Sequence, residues 1–113
     1  MTPKVSIILA NYNEEKYIAE AIESVINQTY TNWELIIIDD ASTDRSQDII
    51  NSYKDSRIKT RFCKKNNHVA YASNLGIDMA IGEYIAKIDS DDVWEAEKLE
   101  KQVLFMEEHT EYG

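Results

Sequence analysis

The chain has 113 residues, 43% hydrophobic and 29% charged, which suits one globular domain with a single ordinary core and excludes a second independent domain or a disordered chain. Twelve Lys and Arg against 21 Asp and Glu give a formal charge of −9, which excludes a nucleic-acid backbone or an anionic membrane face as the main partner. Cys63, the single cysteine, excludes a disulfide framework and a multi-cysteine metal site.

Val5–Ser6–Ile7–Ile8–Leu9–Ala10 opens the chain as a short apolar run, the pattern of a strand buried on both faces. It is far too short for a spanning helix or a secretory h-region, so the expected location is cytoplasmic. From Glu14 to about Gln28, Ile18, Ala21, Ile22, Val25 and Ile26 recur at helical spacing, with Asn13 as the expected N-cap. Trp33 to Ile38 is a second buried strand. Thr43 or Ser42 is expected to cap a second helix reaching about Lys54, with Ile49, Ile50 and Tyr53 on a thin apolar face.

Ile58, Thr60 and Phe62 alternate with Lys59, Arg61 and Cys63, which predicts a half-solvated edge strand. A third helix is expected from about Val69 to Ala80, with Gly82 as its stop. Tyr84 to Ile88 reads as the fourth strand. The last helix, about Glu95 to His109, is expected to bury Leu99, Val103 and Met106. The order β-α-β-α-β-α-β-α predicts an α/β, doubly wound, Rossmann-like parallel sheet spanning residues 1–113 as one domain.

Two acidic clusters stand at carboxyl ends of strands, Asp39–Asp40 and Asp89–Ser90–Asp91–Asp92. Ligands of open α/β sheets bind outside those ends, where strand order reverses. Five carboxylates in one crevice repel one another, so the pattern predicts a cation, and all-oxygen ligation favours Mg²⁺ or Mn²⁺ shared with substrate phosphates. Turn and cap chemistry is the competing explanation for Asp39 or Asp92 taken singly.

Val5 to Glu14 resembles the opening of family 2 inverting glycosyltransferases of GT-A fold, and Ile36 to Asp44 is similar to their second strand and its Asp-Asp-x-Ser turn. Asn74–Leu75–Gly76–Ile77, Ala80 to Ile85, and Asp89–Ser90–Asp91–Asp92 as a DxD motif complete the resemblance, in family order, over about residues 4 to 105. The resemblance implies the N-terminal, nucleotide-sugar-binding half of such an enzyme, with sheet order 3-2-1-4. It implies a UDP-sugar donor, a saccharide or a lipid- or protein-linked acceptor, and Mn²⁺ or Mg²⁺ as cofactor.

By position, Ala10 and Tyr12 would line the nucleoside pocket, and Asp40 would accept from the base edge. Asp89 would lie near the ribose and donor sugar, Asp91 would bind the metal, and Glu14 would be either a donor contact or a first-turn helix charge. The family's Gly before the third helix and the Arg beside its Asn are replaced by His68 and Ser73, which removes a nucleotide contact. No residue matches the catalytic base, so the acceptor-binding half is absent from these residues, and a membrane face is a possible site for the whole protein.

Two other readings compete. A receiver-type Mg²⁺-binding module has this size, but needs an acidic pair after strand 1, where Ala10–Asn11–Tyr12 stands. A catalytically silent interaction fragment would use its sheet edge. With the family's following strands missing, strand 4 with Tyr84, Ile85, Ala86 and Ile88 is left as an open edge, and the fragment is expected to form a homodimer through it.

Overall fold

The computed structural model describes residues 3–66 and 69–108. The elements are β1 (Val5–Asn11), α1 (Ile18–Ile26), β2 (Trp33–Asp39), α2 (Ser46–Asn51), β3 (Ile58–Phe62), α3 (Val69–Met79), β4 (Tyr84–Asp89) and α4 (Lys98–Glu108). All pairings are parallel and the order is β3-β2-β1-β4, as expected. His68, and the chain from His109 onward, lie outside the described residues.

β1 and β2 occupy the middle of the sheet, which explains their unbroken apolar runs. Val5, Ile7 and Leu9 on one face join Leu35, Ile37 and Trp33 in the main core, filled by Ile18, Ile22 and Val25 of α1, Ile50 of α2 and Leu99 and Val103 of α4. Ile8, Ile36 and Ile38 on the other face meet Ala72 of α3 in a smaller core. That smaller core is thin because α3 lies close: a Cβ at Gly76 would stand 2.5 Å from Ile8 Cγ2.

Several local expectations are corrected. Helix α1 begins at Ile18, the first residue of the apolar stripe and four residues later than the expected start at Glu14; Glu14–Tyr17 form a turn in which the Glu14 carbonyl accepts the Tyr17 and Ile18 N–H groups. Helix α2 is only Ser46–Asn51, and neither Ser42 nor Thr43 caps it; Asp44 Oδ1 accepts the Ser46 N–H at 2.9 Å instead. Gly82 is no left-handed helix stop. A Cβ there would meet Ser6 N at 2.7 Å, so its smallness lets the α3–β4 connection press against β1. Met106 is exposed, while Trp94 fills the core place.

Gln28, unremarked in the sequence, fixes the entry to α4. Its buried amide donates to the Ser24 and Glu95 carbonyls and accepts the Leu99 N–H at 2.9 Å. One side chain thereby ties the end of α1 to the start of α4 and holds the loop following Asp89–Asp92 against the body of the domain. No helix among the described residues is long and apolar enough to cross a membrane.

Candidate functional site

Register brings the expected site residues together. Ala10 on β1 is the Cα partner of Ile38 on β2 and of Asp89 on β4. Adjacent strands lie about 4.8 Å apart, so Asp89 stands one strand from Ala10 on one side, and Asp40, two residues beyond Ile38, flanks it on the other. Strand alternation puts Ala10 and Asp89 on the α3 face with Ile8 and Ile38. Asp40 continues the β1–β2 ladder, its N–H donating to the Asn11 carbonyl at 2.8 Å, so alternation assigns it to the same face as Ile38 and away from Asp39. Cys63 packs on the smaller core, and burial, with the charges of Asp40 and Asp39 adding to it and Arg61 opposing, pushes its thiol up from the ordinary range.

The sheet order reverses at β1, with β2 and β3 to one side and β4 to the other. The crevice is therefore the switch point of an open α/β sheet. Tyr12, 41% exposed, stands at its rim just past β1. Asp89 and Asp91 are both exposed around the turn that the Asp92 N–H closes on the Asp89 carbonyl at 3.0 Å, with Ser90 buried between them. Glu14 is half-buried and precedes α1 by a full turn, so it is not a first-turn charge of that helix.

The picture of five carboxylates sharing one crevice is corrected. Asp39 lies on the opposite face, fully buried with Asn11. Its Oδ1 accepts from Asn11 Nδ2 at 2.9 Å and the Ser42 hydroxyl at 2.6 Å, and its Oδ2 accepts from the Ser42 N–H and Gln47 Nε2, each at 2.9 Å. Four donors saturate this carboxylate, which pegs the β2–α2 loop rather than facing a ligand. Among the described residues no group of three or more His, Cys, Asp or Glu is arranged to hold a metal. A cation here would draw on few protein carboxylates and take its other ligands from phosphates and water, which is the habit of Mg²⁺.

Asn13 is also placed differently from expectation. Its backbone is left-handed, φ 52°, and its side chain reaches the β2–α2 loop rather than capping α1. Sequence reading missed this bond and gave no role to Asn11 or Gln47, while Ser42, expected as a helix cap, bonds Asp39 instead; the available signal was a polar Asn ending an otherwise apolar buried strand. Asp44 completes the loop contact by accepting the Glu15 N–H at 3.0 Å. Burial raises the Asp44 carboxyl, but bonds from Ser46 and from the Glu15 N–H outweigh it and hold the group below the usual range.

Residues 6–113 match the profile of Glycosyl transferase family 2. Over 106 residues the chain is 50% identical to UDP-Glc:alpha-D-GlcNAc-diphosphoundecaprenol beta-1,3-glucosyltransferase WfaP of Escherichia coli, covering 91% of this chain and 41% of that protein. Among solved structures, S. aureus TarS 1–349 in complex with UDP superposes with a TM-score of 0.89 at 32% identity, over 95% of this chain and 33% of that one. The mannosyltransferase PcManGT from Pyrobaculum calidifontis, in complex with GDP-Man and Mn²⁺, gives a TM-score of 0.84 at 26% identity, over 94% and 33%. The chain spans less than half the length of the curated relatives it matches. The receiver-type reading has no counterpart among these matches. With its sheet order, its acidic strand ends and its matched residues in agreement, the chain belongs to glycosyl transferase family 2.

Proposed function

We propose that this chain binds the nucleotide-sugar donor, a UDP-sugar, for an inverting glycosyl transfer. The observation that carries the reading is the convergence of Ala10, Asp40 and Asp89 at one switch point, in a fold shared with a UDP-bound relative. Ala10 and Tyr12 line the nucleoside pocket, Asp40 accepts from the base edge, and Asp89 faces the ribose and sugar. Glu14 is a further donor contact.

Asp91 is the residue that would hold a divalent cation, Mn²⁺ or Mg²⁺. The donor set fits: exposed carboxylate oxygens on a turn leave coordination positions open for a diphosphate. When bound, that ion neutralises charge on the departing diphosphate. Inverting transfer also needs a base for the acceptor proton, and we place that base outside these 113 residues, with the acceptor-binding half. The acceptor is a saccharide or a lipid- or protein-linked glycan, and the working location is the cytoplasm or its membrane face.

Thermal melting with UDP, GDP, CDP or TDP, each with and without Mn²⁺, tests the reading. UDP with Mn²⁺ should raise Tm most, through preferential binding to the native state. Asp91→Asn should remove only the metal-dependent part. Equal stabilisation by UDP in EDTA would overturn the metal assignment, and no nucleotide effect at all would overturn the donor site.

The exposed edge of β4 supports one assembly. Ile85 is 48% exposed, and a cavity of about 460 Å³ opens between β4 and α4, lined by Tyr84, Ala86, Trp94, Phe105 and Met106. A second copy of this chain, adding its own β4 across a two-fold axis, would satisfy the strand's outer hydrogen-bonding groups.

A further inference from the structure

Tyr12 and Asp40 belong to two different loops, and one hydrogen-bond network brackets both. Asn11 and Asn13 flank Tyr12, while Asp39 and Ser42 flank Asp40 and Ala41. The Asn13 N–H donates to Ser42 Oγ at 2.9 Å. In return Asn13 Oδ1 accepts the Thr43 N–H at 2.7 Å and the Asp44 N–H at 3.3 Å. Ser42 is itself held by both oxygens of Asp39, and Asp39 by Asn11. The chain of bonds thus runs from the end of β1, through the end of β2, and back to the β1–α1 loop.

The backbone around it is unusual. Asn13 and Ala41 are the non-glycine residues of positive φ among those described, at 52° and 64°. Asn tolerates the left-handed region because its short polar side chain bonds locally; Ala has no such compensation, so its conformation is imposed by neighbours. Ala41 lies between Asp40 and Ser42, and Ser42 is held by Asp39 on one side and by the Asn13 N–H on the other. Strained backbone persists where surrounding structure over-determines it, and such residues gather at ligand sites.

We infer that Asn13 is a positioning residue: it latches the β1–α1 loop to the β2–α2 loop and so fixes the gap between Tyr12 and Asp40 in which a nucleoside base is held. The inference rests on the donor-site reading above. Asn suits the position for two reasons at once, its tolerance of positive φ and its acceptor placed on two successive N–H groups. Gly would keep the backbone and lose the acceptor. Asp would keep both.

The experiment is calorimetric titration of the chain with UDP, and separately with Mn²⁺-pyrophosphate, at a temperature well below Tm. Asn13→Gly should raise the Kd for UDP about tenfold, the scale of one well-made hydrogen bond, and leave the pyrophosphate Kd unchanged. Asn13→Asp should recover most of the UDP affinity. Ser42→Ala removes the partner of the Asn13 N–H from the opposite loop and should weaken UDP similarly, which keeps the test open if Asn13→Gly does not fold. A lowered Tm with an unchanged UDP Kd, or an equal loss for UDP and pyrophosphate, would overturn the assignment. An unsubstituted chain that binds no UDP would instead overturn the donor site, and this inference with it.

Discussion

Ser6 on β1 and Glu34 on β2 are cross-strand partners, and the Ser6 hydroxyl donates to the buried Glu34 carboxylate. Glu34 also accepts the Ile81 N–H at 2.9 Å and the Lys59 ammonium at 2.6 Å, while Ser6 Oγ accepts the Gly82 N–H at 2.8 Å. The α3–β4 connection is thereby stitched to the amino-terminal end of the sheet, opposite the strand ends where Ala10, Asp40 and Asp89 meet. Without these bonds, β4 and the Asp89–Asp92 turn would lose one of their anchors.

Burial raises the Glu34 carboxyl, but the Ile81 N–H, Lys59 and Ser6 together outweigh it and hold the group below its ordinary value. A depressed folded value stabilises the native state above the ordinary glutamate range, about 4.3, and that contribution disappears as pH falls through the folded value. Glu34→Gln should therefore cost about 1–3 kcal/mol at pH 7. Its deficit against the unsubstituted chain should shrink on acidification toward pH 3. Denaturant melts at both pH values check this, and a pH-independent deficit would contradict it.

Gly76→Ala and Gly82→Ala should both destabilise, by about 1–3 kcal/mol, because each new methyl group overpacks a fixed neighbour. At Gly76 that neighbour is the branched Ile8 side chain at 2.5 Å; at Gly82 it is Ser6, including its backbone N at 2.7 Å. The Gly82 variant should be the worse of the two, since backbone yields less than a side chain. Chemical denaturation of both variants measures the difference.

Asp39→Asn should lose about 2 kcal/mol or more, because an amide nitrogen then confronts one pair of the four donors that the carboxylate satisfies. Added Mn²⁺ should not change the size of that loss, as Asp39 lies on the face of Leu35 and Ile37, away from the proposed donor site. Urea midpoints with and without the metal supply the comparison.

The isolated chain should release UDP from a UDP-sugar slowly and transfer sugar to an acceptor far more slowly still. Water needs less positioning than a specific acceptor, and no carboxylate here is assigned to take the acceptor's proton. A coupled assay for free UDP, run beside product analysis, separates the two. Efficient transfer that depends on an internal carboxylate would contradict the placement of the base.

Light scattering at micromolar concentration should show a dimer that Ile85→Lys disperses. The substitution places a charge on the exposed edge strand, a common protection against strand pairing. A monomer before substitution, or an unchanged dimer after it, would exclude this edge as the interface.

Apolar periodicity alone determined the eight elements and their parallel winding, because buried strands and sheet-covering helices impose different repeats on the same alphabet. The ordered motifs, Val5–Glu14, Ile36–Asp44 and Asp89–Asp92, carried the family. The boundaries were decided elsewhere. Asn13 reads as an N-cap in sequence, yet it bonds the Thr43 and Asp44 N–H groups of another loop, and α1 begins only at Ile18. Gly82 looks like a helix stop in sequence, and only the nearness of Ser6 reveals its packing role. Asp39 and Asp40 are adjacent letters, but strand alternation sends them to opposite faces, one into a saturated network and one to the side of Ala10 and Asp89. A sequence lists which groups are available; the division of labour between neighbours is set by which face the sheet turns toward which partner, and that is a property of tertiary structure alone.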